Sequence, residues 1–276
     1  MIEKKSIIID GTKVFYIDAR PDDAARIAPT LLLVHGFLVS SACWEDILPG
    51  LSSRFRVLAP DLPGSGESDI WKNTMVSFTR FASFINTFCD KLDLKSTVIL
   101  GHSMGGGIAI VAAGMYAQRF TKAILMDSIA YPFPQPFKSR AVQAAVIGPF
   151  IFKKLYGWGM FRSYFRNDVY YNKSNLNEKR LKVYYDHFNT PERREFSYSL
   201  MKMVTDPKEV EAKVRDVKIP TLVVWGGKDT LIPLSCGHRL VKEIEGARIE
   251  IVPECGHAPQ EEAPAQALDI LTRYLG

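Results

Sequence analysis

Short, continuous apolar runs alternate with segments of helical period along most of this chain. Runs that are apolar on both faces are typical of buried parallel strands, since each face of a covered sheet packs against helices. The predicted strands are Thr30 to Val34, Arg56 to Ala59, Thr97 to Leu100, Ala123 to Met126, Thr221 to Trp225 and Ile249 to Val252. The predicted helices are Ser41 to Leu51, Met75 to Leu92, Gly107 to Arg119, Pro233 to Glu245 and Pro264 to Tyr274. This alternation predicts an α/β fold in which helices cover both faces of a mostly parallel sheet.

The N-terminal segment has the pattern of a β-hairpin. Ser6 to Asp10 and Lys13 to Asp18 alternate apolar with polar residues around the turn pair Asp10-Gly11. An Asp-Gly pair between two alternating segments is a strong hairpin signal. We therefore expect this hairpin to form one edge of the sheet.

The alternation of strands and helices stops between Tyr131 and Arg215. This block opens with alternate prolines, from Tyr131 to Phe137, which exclude a regular helix and favour an extended linker. Helical patterns follow, and an insertion at this point projects from the strand ends, where parallel sheets bind their ligands. We therefore expect a core domain of residues 1–130 and 216–276 and a helical cap, or lid, of residues 131–215.

Length, charge and cysteine use narrow the class of protein. With 276 residues, 47% of them hydrophobic, the chain can bury a full core. Its net charge of +5 alone suggests nucleic acid or an anionic surface as a partner, but all of the excess positive charge lies in the block 131–215. The four cysteines show no metal-binding or redox spacing, which favours buried thiols. No secretory signal precedes the first strand and no apolar run reaches the roughly 18 residues that span a bilayer, so we expect a cytoplasmic protein.

The segment Gly101-His102-Ser103-Met104-Gly105 directly follows a predicted strand and has the form of a nucleophile elbow. A sharp turn from strand to helix strains the serine backbone, and flanking glycines let the neighbouring backbones approach. The turn lifts the hydroxyl off the sheet beside the N–H groups of the next helix. A motif this short also occurs by chance, but its context favours Ser103 as an attacking oxygen.

A serine hydroxyl needs a base within hydrogen-bond reach, and the base needs an orienting carboxylate. Of the five histidines, His257 stands in a loop directly after the last predicted strand, and we expect it to be the base. Asp229 follows another strand and is the preferred carboxylate. Asp127, after the strand that ends at Met126, is its rival. If Asp127 is not the acid, it is expected to tie down the loop that leads to the cap.

Two backbone N–H groups are expected to stabilise the negative oxygen of a tetrahedral intermediate. Met104 supplies one at the elbow, and Phe37 supplies the other from the loop that His35 braces. Leu38, Trp158 and Phe161 are expected to line the substrate pocket. The block 131–215 holds more than half of the chain's aromatic residues, which indicates either an apolar chamber or the packing of a small cap.

The glycine-rich segments do not indicate a nucleotide cofactor. Asp61 to Ser68 and Gly105 to Gly107 match neither the phosphate-binding loop nor the dinucleotide-binding pattern. We therefore assign no cofactor and no metal. Nucleic-acid binding is set aside because it leaves the Ser, His and Asp constellation unexplained. Contact of the basic, aromatic block with an anionic membrane surface is a less favoured alternative to its packing as a cap.

Taken together, these motifs resemble the α/β-hydrolase fold superfamily over nearly the whole chain outside 131–215. The matching segments, in the order that the family shows, are His35-Gly36, Asp61 to Ser68, Gly101 to Gly106, Gly226 to Asp229 with Pro233, and Gly256-His257. The resemblance implies an eight-stranded, mostly parallel sheet with a cap inserted after the sixth strand. It also implies a triad of Ser103, Asp229 and His257 and an acyl-serine intermediate.

The elbow narrows the choice within that family. Dehalogenases and epoxide hydrolases have aspartate at the position of Ser103. Carbon–carbon hydrolases usually have asparagine at the position of His102 and an aromatic residue at the position of Ala258. We therefore expect a serine carboxylesterase or lipase-like hydrolase that cleaves small-molecule esters of small or medium apolar acyl groups. The alternatives are a carbon–carbon bond hydrolase, a perhydrolase or haloperoxidase-like enzyme, and a non-catalytic ligand sensor.

Overall fold

The computed structural model describes residues 1–21, 30–71, 75–132 and 147–276. The strands are β1 (Ile2–Ile9), β2 (Thr12–Ala19), β3 (Thr30–Val34), β4 (Arg56–Pro60), β5 (Thr97–His102), β6 (Phe120–Met126), β7 (Thr221–Gly226) and β8 (Arg248–Val252). They form one eight-stranded sheet in the order β1-β2-β4-β3-β5-β6-β7-β8. The pairs β1–β2 and β2–β4 are antiparallel and the others are parallel, which confirms the predicted sheet.

The N-terminal hairpin is confirmed. Ile9 pairs with Thr12 across the turn, and both turn residues have positive φ, 48° at Asp10 and 75° at Gly11. A two-residue turn of this type requires positive φ at both positions, which asparagine, aspartate and glycine adopt most readily. The Asp-Gly pair therefore fixes the register of the antiparallel edge.

Helices connect the parallel strands as the pattern predicted. Within the described residues, the α-helices are α1 (Leu48–Ser52), α2 (Phe78–Lys91), α3 (Met104–Met115), α4 (Ile147–Phe150), α5 (Trp158–Tyr164), α6 (Glu178–Phe188), α7 (Pro191–Thr205), α8 (Lys208–Glu211), α9 (Leu234–Glu243), α10 (Pro259–Glu262) and α11 (Pro264–Leu275). Two π-helical turns, Ile151–Leu155 and Phe165–Val169, follow α4 and α5.

The single helix predicted from Ser41 to Leu51 is wrong. The structure has a 3₁₀ turn at Ser41–Trp44 and then the short α1. Pro49 lies in the first turn of α1 and has no N–H for a bond to an earlier turn. A helix can therefore begin at this position but cannot run through it.

Two apolar clusters fill the two faces of the sheet. Leu32 and Val34 of β3 point into the cluster under α2, α3 and α9, whereas Leu31 and Leu33 point into the cluster that contains residues of α1 and α11. This division follows from the alternation of side chains along a strand. Because both faces are covered, the ends of the parallel strands are where a site can open.

The block between β6 and β7 is helical from residue 147 onward and packs on the second cluster through aromatic side chains. Phe152, Tyr156, Phe161 and Phe188 contact one another with ring centroids 5.2–6.3 Å apart. Residues 133–137 of the predicted linker lie outside the described residues. The boundaries of the cap at Tyr131 and Arg215 stay a prediction.

The described residues include no helix that is both long and apolar enough to cross a bilayer. All four cysteines are free and buried, as their spacing predicted: Cys43, Cys89, Cys236 and Cys255. Burial raises the pKa of each thiol, so the cysteines behave as small apolar side chains.

Candidate active site

The elbow between β5 and α3 has the strained geometry that the motif predicted. Ser103 has φ +54°, and its N–H donates to the carbonyl of Met126 at 2.9 Å. A Cβ added at Gly105 would lie 2.0 Å from the Val34 carbonyl oxygen, and one at Gly101 would lie 2.1 Å from the Gly105 carbonyl oxygen. Only glycine fits at these two positions, because β3, β5 and α3 pass too close for a side chain.

The structure brings together Ser103, His257 and Asp229. His257 Nε2 lies 2.8 Å from Ser103 Oγ, and His257 Nδ1 lies 2.7 Å from Asp229 Oδ2. All three side chains are buried. With the proton on Nδ1 donated to the carboxylate, the lone pair of Nε2 faces the serine hydroxyl, which is the tautomer that a general base requires.

Asp229 is held as an anion. Its Oδ1 accepts hydrogen bonds from the N–H groups of Leu231 at 2.8 Å and Ile232 at 3.0 Å. Burial acts to raise the pKa of Asp229, but the imidazole of His257 and the hydrogen bonds to the carboxylate together outweigh it, so the pKa lies below its usual value. The negative charge therefore stays beside the imidazole.

Asp127, the rival carboxylate, lies next to Asp229 but does not occupy the acid's place on His257 Nδ1. It is fully buried, with φ +42°, and its Oδ1 accepts from the N–H of Gly226 at 2.9 Å. Burial, and then the neighbouring carboxylate of Asp229, raise the pKa of Asp127 well above its usual value. Asp127 is thus a neutral acid that fixes the end of β7.

Asp127, Asp229 and His257 each offer one atom of a kind that binds metal ions, and these three atoms lie within 4.8 Å of one another. Both nitrogens of His257 are already engaged, Nδ1 with Asp229 and Nε2 with Ser103. A metal ion would have to displace one of these hydrogen bonds. The geometry therefore fits a proton relay better than a metal centre.

Two more histidines support the backbone around the site. His35 Nδ1–H donates to the Gly36 carbonyl at 2.8 Å and Nε2 accepts from the Leu62 N–H at 2.9 Å, in agreement with the predicted bracing of this loop. His102 Nε2–H donates to the carbonyl of His257 at 2.7 Å, a contact that the sequence did not indicate. Burial, and then His257, lower the pKa of His102 to about 3, so His102 is neutral.

The two residues whose N–H groups are predicted to stabilise an oxyanion are Met104, directly after Ser103, and Phe37, in the loop after β3. Met104 is the first residue of α3, and the first N–H groups of a helix have no partner within it. Phe37 follows Gly36, where an added Cβ would lie 3.2 Å from Ser103 Cβ. Use of these two groups in catalysis stays a prediction.

A narrow cavity beside Ser103 has a volume of about 30 Å³. Its walls are mostly apolar or aromatic and come from the core and from the block between β6 and β7. The lining residues are Phe37, Val39, His102, Ser103, Tyr164, Phe165, Val169, His257, Ala258 and Glu261.

The three predicted pocket residues are not among the lining residues of this cavity. Leu38 lines a neighbouring cavity that shares Val39 with it. Trp158 packs against Tyr185, and Phe161 is fully buried in the aromatic cluster of the inserted helices. Their contact with a substrate stays a prediction.

The loop that carries His257 is fastened to the inserted block. The His257 N–H donates to the Val169 carbonyl at 2.8 Å. The carboxylate of Glu262 accepts from the N–H groups of Gly256, Tyr171 and Asn172 at 3.0, 3.1 and 2.7 Å. Nothing in the local sequence around Glu262 indicates this role.

Together, the mostly parallel sheet and the serine in the sharp turn after β5 are typical of one class of enzymes. A family model described as the alpha/beta hydrolase fold matches residues 29–264. The chain therefore belongs to the α/β-hydrolase fold family.

Three known proteins place the chain among hydrolases. It is 26% identical to the uncharacterised hydrolase YugF of Bacillus subtilis, over 93% of this chain and 92% of that protein. It is 27% identical to a 2-hydroxy-6-oxononadienedioate/2-hydroxy-6-oxononatrienedioate hydrolase of Cupriavidus pinatubonensis, over 97% and 93%. Among solved structures, the meta-cleavage product hydrolase CumD of Pseudomonas fluorescens is 25% identical and superposes with a TM-score of 0.79, over 98% of this chain and 97% of that one.

Proposed function

We propose that this α/β hydrolase is a serine carboxylesterase that acts on small or medium apolar acyl esters. The observation that carries the proposal is the continuous hydrogen-bonded chain from Ser103 Oγ through His257 to Asp229 beside a narrow cavity with mostly apolar or aromatic walls. A serine hydroxyl hydrogen-bonded to an imidazole that a carboxylate orients is the arrangement that generates a nucleophile.

The proposed reaction has two half-reactions. Ser103 Oγ attacks the ester carbonyl carbon while His257 Nε2 takes the hydroxyl proton, and Asp229 stabilises the resulting imidazolium. The tetrahedral oxyanion accepts hydrogen bonds from the Phe37 and Met104 N–H groups. The carbon–oxygen bond to the alcohol then breaks, and the alcohol leaves with the proton from His257. Water, deprotonated by His257, attacks the acyl-serine and releases the carboxylic acid.

The charge of the cavity supports a neutral substrate. Among the residues that the structure describes, no lysine or arginine lines the cavity, whereas the carboxylate of Glu261 does. His102 and His35 are neutral and add no positive charge. An uncharged ester needs no counter-ion in such a chamber.

The test combines active-site labelling with turnover. The wild-type protein should react with a fluorophosphonate probe at Ser103 and hydrolyse p-nitrophenyl butyrate. Ser103→Ala should do neither while it keeps the far-UV circular dichroism of the wild type. Ser235→Ala, at an exposed serine of α9, is the matched control and should behave as wild type. A folded wild-type protein that is neither labelled nor active would overturn the proposal.

The second candidate is hydrolysis of a carbon–carbon bond, which the two relatives named as dienedioate and meta-cleavage product hydrolases favour. A dienedioate carries two carboxylates, and the cavity presents a carboxylate of its own rather than a cation. Comparison of kcat/KM for 2-hydroxy-6-oxononadienedioate and p-nitrophenyl butyrate separates the two. A value that is higher for the dienedioate would replace the esterase proposal.

A further inference from the structure

We propose that Glu261 is a specificity-determining residue of the acyl chamber. In this role it excludes acyl groups that end in a carboxylate and favours acyl groups that end in a hydrogen-bond donor such as a hydroxyl. This inference rests on the proposed ester hydrolysis and specifies the substrate class of the same site. It assigns a function to a buried acid that the serine relay does not use.

The first argument is the position of Glu261. The residue lies in α10, one helical turn after His257, and lines the same cavity as Ser103 and His257. It is only 7% exposed, so its charge is not screened by bulk water. A substrate in the chamber therefore meets this carboxylate directly.

The second argument is its unused acceptor. Glu261 Oε2 accepts from the Tyr170 hydroxyl at 2.9 Å and from Arg180 Nη1 at 3.2 Å. Within the described residues, no hydrogen bond reaches Oε1. Because Oε1 has no donor among these residues, a substrate hydroxyl that enters the cavity can donate to it, and a hydrogen bond to a charged acceptor is stronger than one between neutral groups.

The third argument is the balance of charge behind the cavity wall. Arg180 is 5% exposed and is shared between Glu261 and Asp46, with Glu45 at 3.4 Å as a further partner. Asp46 takes the closer contacts, at 2.7 and 2.8 Å. One guanidinium therefore faces three carboxylates, and no positive charge remains to balance an acidic substrate.

A carboxylate on the acyl chain would add a further negative charge to this cluster of one guanidinium and three carboxylates. Like charges that are close together in a water-poor cavity repel each other strongly, since little solvent screens them. The Glu261 side chain thus works as a repulsive element against one class of ester and as an acceptor for another.

The experiment uses three p-nitrophenyl esters of similar length whose acyl chains end in a methyl group, a hydroxyl group or a carboxylate. These are the heptanoate, the 6-hydroxyhexanoate and the mono-ester of adipic acid. For the wild type we expect kcat/KM about tenfold higher for the hydroxyl ester than for the methyl ester, the effect of one good hydrogen bond. We expect it to be at least about tenfold lower for the carboxylate ester.

Two variants assign the effect to Glu261. Glu261→Gln keeps an oxygen for Arg180 and Tyr170 but removes the charge, so the ratio of carboxylate to methyl ester should rise by about tenfold or more. Glu254→Gln is the matched control, since Glu254 is 70% exposed and does not line the cavity. Its three-ester ratios should equal those of the wild type.

Failure of this inference is distinguishable from failure of the esterase proposal. If the methyl ester is hydrolysed but the carboxylate ester reacts equally well, or if Glu261→Gln leaves the ratios unchanged, Glu261 does not select the substrate. If the folded protein hydrolyses none of the three and is not labelled by fluorophosphonate, both proposals are overturned.

Discussion

Asp127 and Asp229 are chemically identical side chains that lie side by side, and their surroundings give them different charges. Asp229 receives two backbone N–H groups and the imidazole, whereas Asp127 receives one N–H and has no N–H partner for Oδ2. The neighbouring carboxylate of Asp229 adds to the effect of burial in raising the pKa of Asp127. Two adjacent buried carboxylates cannot both be ionised at low cost, so the proton resides on Asp127 and the charge on Asp229.

Because only Asp229 is charged, we expect replacement by asparagine to lower activity far more at Asp229 than at Asp127. Asp229→Asn should lower kcat for p-nitrophenyl butyrate by about 10⁴-fold, because an amide beside Nδ1 favours the wrong imidazole tautomer. Asp127→Asn should lower it by only a few-fold, since the amide oxygen can still accept from the Gly226 N–H and a neutral amide replaces a neutral acid. A larger loss for Asp127→Asn than for Asp229→Asn would make Asp127 the orienting acid.

The pKa of Glu261 predicts how substrate selection changes with pH. Burial raises this pKa to about 7, against the opposing effects of Arg180 and the Tyr170 hydroxyl, while Asp46 adds to the increase. Tyr184 and Cys43 also lie in this cluster, and burial keeps both of them neutral. As the pH rises through this value, Glu261 gains its negative charge.

We therefore expect discrimination against the carboxylate-ended ester to increase between about pH 6 and about pH 8, one unit on either side of that pKa. The measurement is the ratio of kcat/KM for the methyl and carboxylate esters, in which pH effects that both esters share cancel. Glu261→Gln should give a ratio that does not change over this range. A wild-type ratio that is equally flat would contradict the prediction.

At the scale of the elements, the sequence contained enough to predict the sheet and the elbow. The apolar run before Gly101 and the glycines around Ser103 are local signals, and the order of Ser103, Asp229 and His257 along the chain indicated which strand ends must meet. The contacts of His102 with His257, and of Glu262 with Tyr171, were not predictable. They join residues 155 and 91 positions apart, and only the packed fold brings them together.

The helical details of the inserted block were also beyond prediction. The π-helical turns at Ile151–Leu155 and Phe165–Val169 differ from α-helix only in which carbonyl each N–H reaches. The sequence pattern of a π-helical turn therefore does not distinguish it from an α-helix. The second turn places Phe165 and Val169 in the cavity wall, whereas the sequence predicted Trp158 and Phe161 as pocket residues.

The close approach of β3 to α3 gives a prediction for the elbow as an element. Gly105→Ala would place a Cβ 2.0 Å from the Val34 carbonyl oxygen, so the strand and the helix must separate. We expect the free energy of unfolding to fall by about 2 kcal/mol or more, with loss of esterase activity, because the Ser103 hydroxyl moves with the helix.

Gly159→Ala is the control for the substitution itself. Gly159 lies in α5, and an added Cβ there has no neighbour within 4 Å. Since alanine is the better helix former, this variant should be as stable as the wild type or more stable by up to about 1 kcal/mol. Urea unfolding measures both variants, and equal stability of Gly105→Ala and wild type would contradict the packing argument.

At the scale of the whole molecule, the inserted block is anchored to the core on two sides of the cavity. Arg193 of α7 donates to the carbonyls of Gly64, Gly66 and Ser68 in the loop after β4, at 3.3, 2.9 and 2.9 Å. On the other side, Glu262 and the His257 N–H hold the segment that follows the second π-helical turn. The wall formed by Phe165 and Val169 is therefore positioned together with the catalytic loop.

The Glu262 carboxylate makes this coupling testable. Glu262→Gln replaces one acceptor oxygen with an NH₂ group that faces backbone N–H groups. If the NH₂ group replaces Oε2, the N–H groups of Gly256 and Tyr171 lose their acceptor, and if it replaces Oε1, the N–H of Asn172 loses its acceptor. We expect the free energy of unfolding to fall by about 1–3 kcal/mol, and kcat to fall as well, because the loop that orients His257 loosens.

Glu254→Gln is the matched control, since Glu254 is 70% exposed and its contact with Lys228 is 3.7 Å, which contributes little. If urea unfolding and kcat of Glu262→Gln match those of Glu254→Gln, the inserted block and the His257 loop are positioned independently of each other.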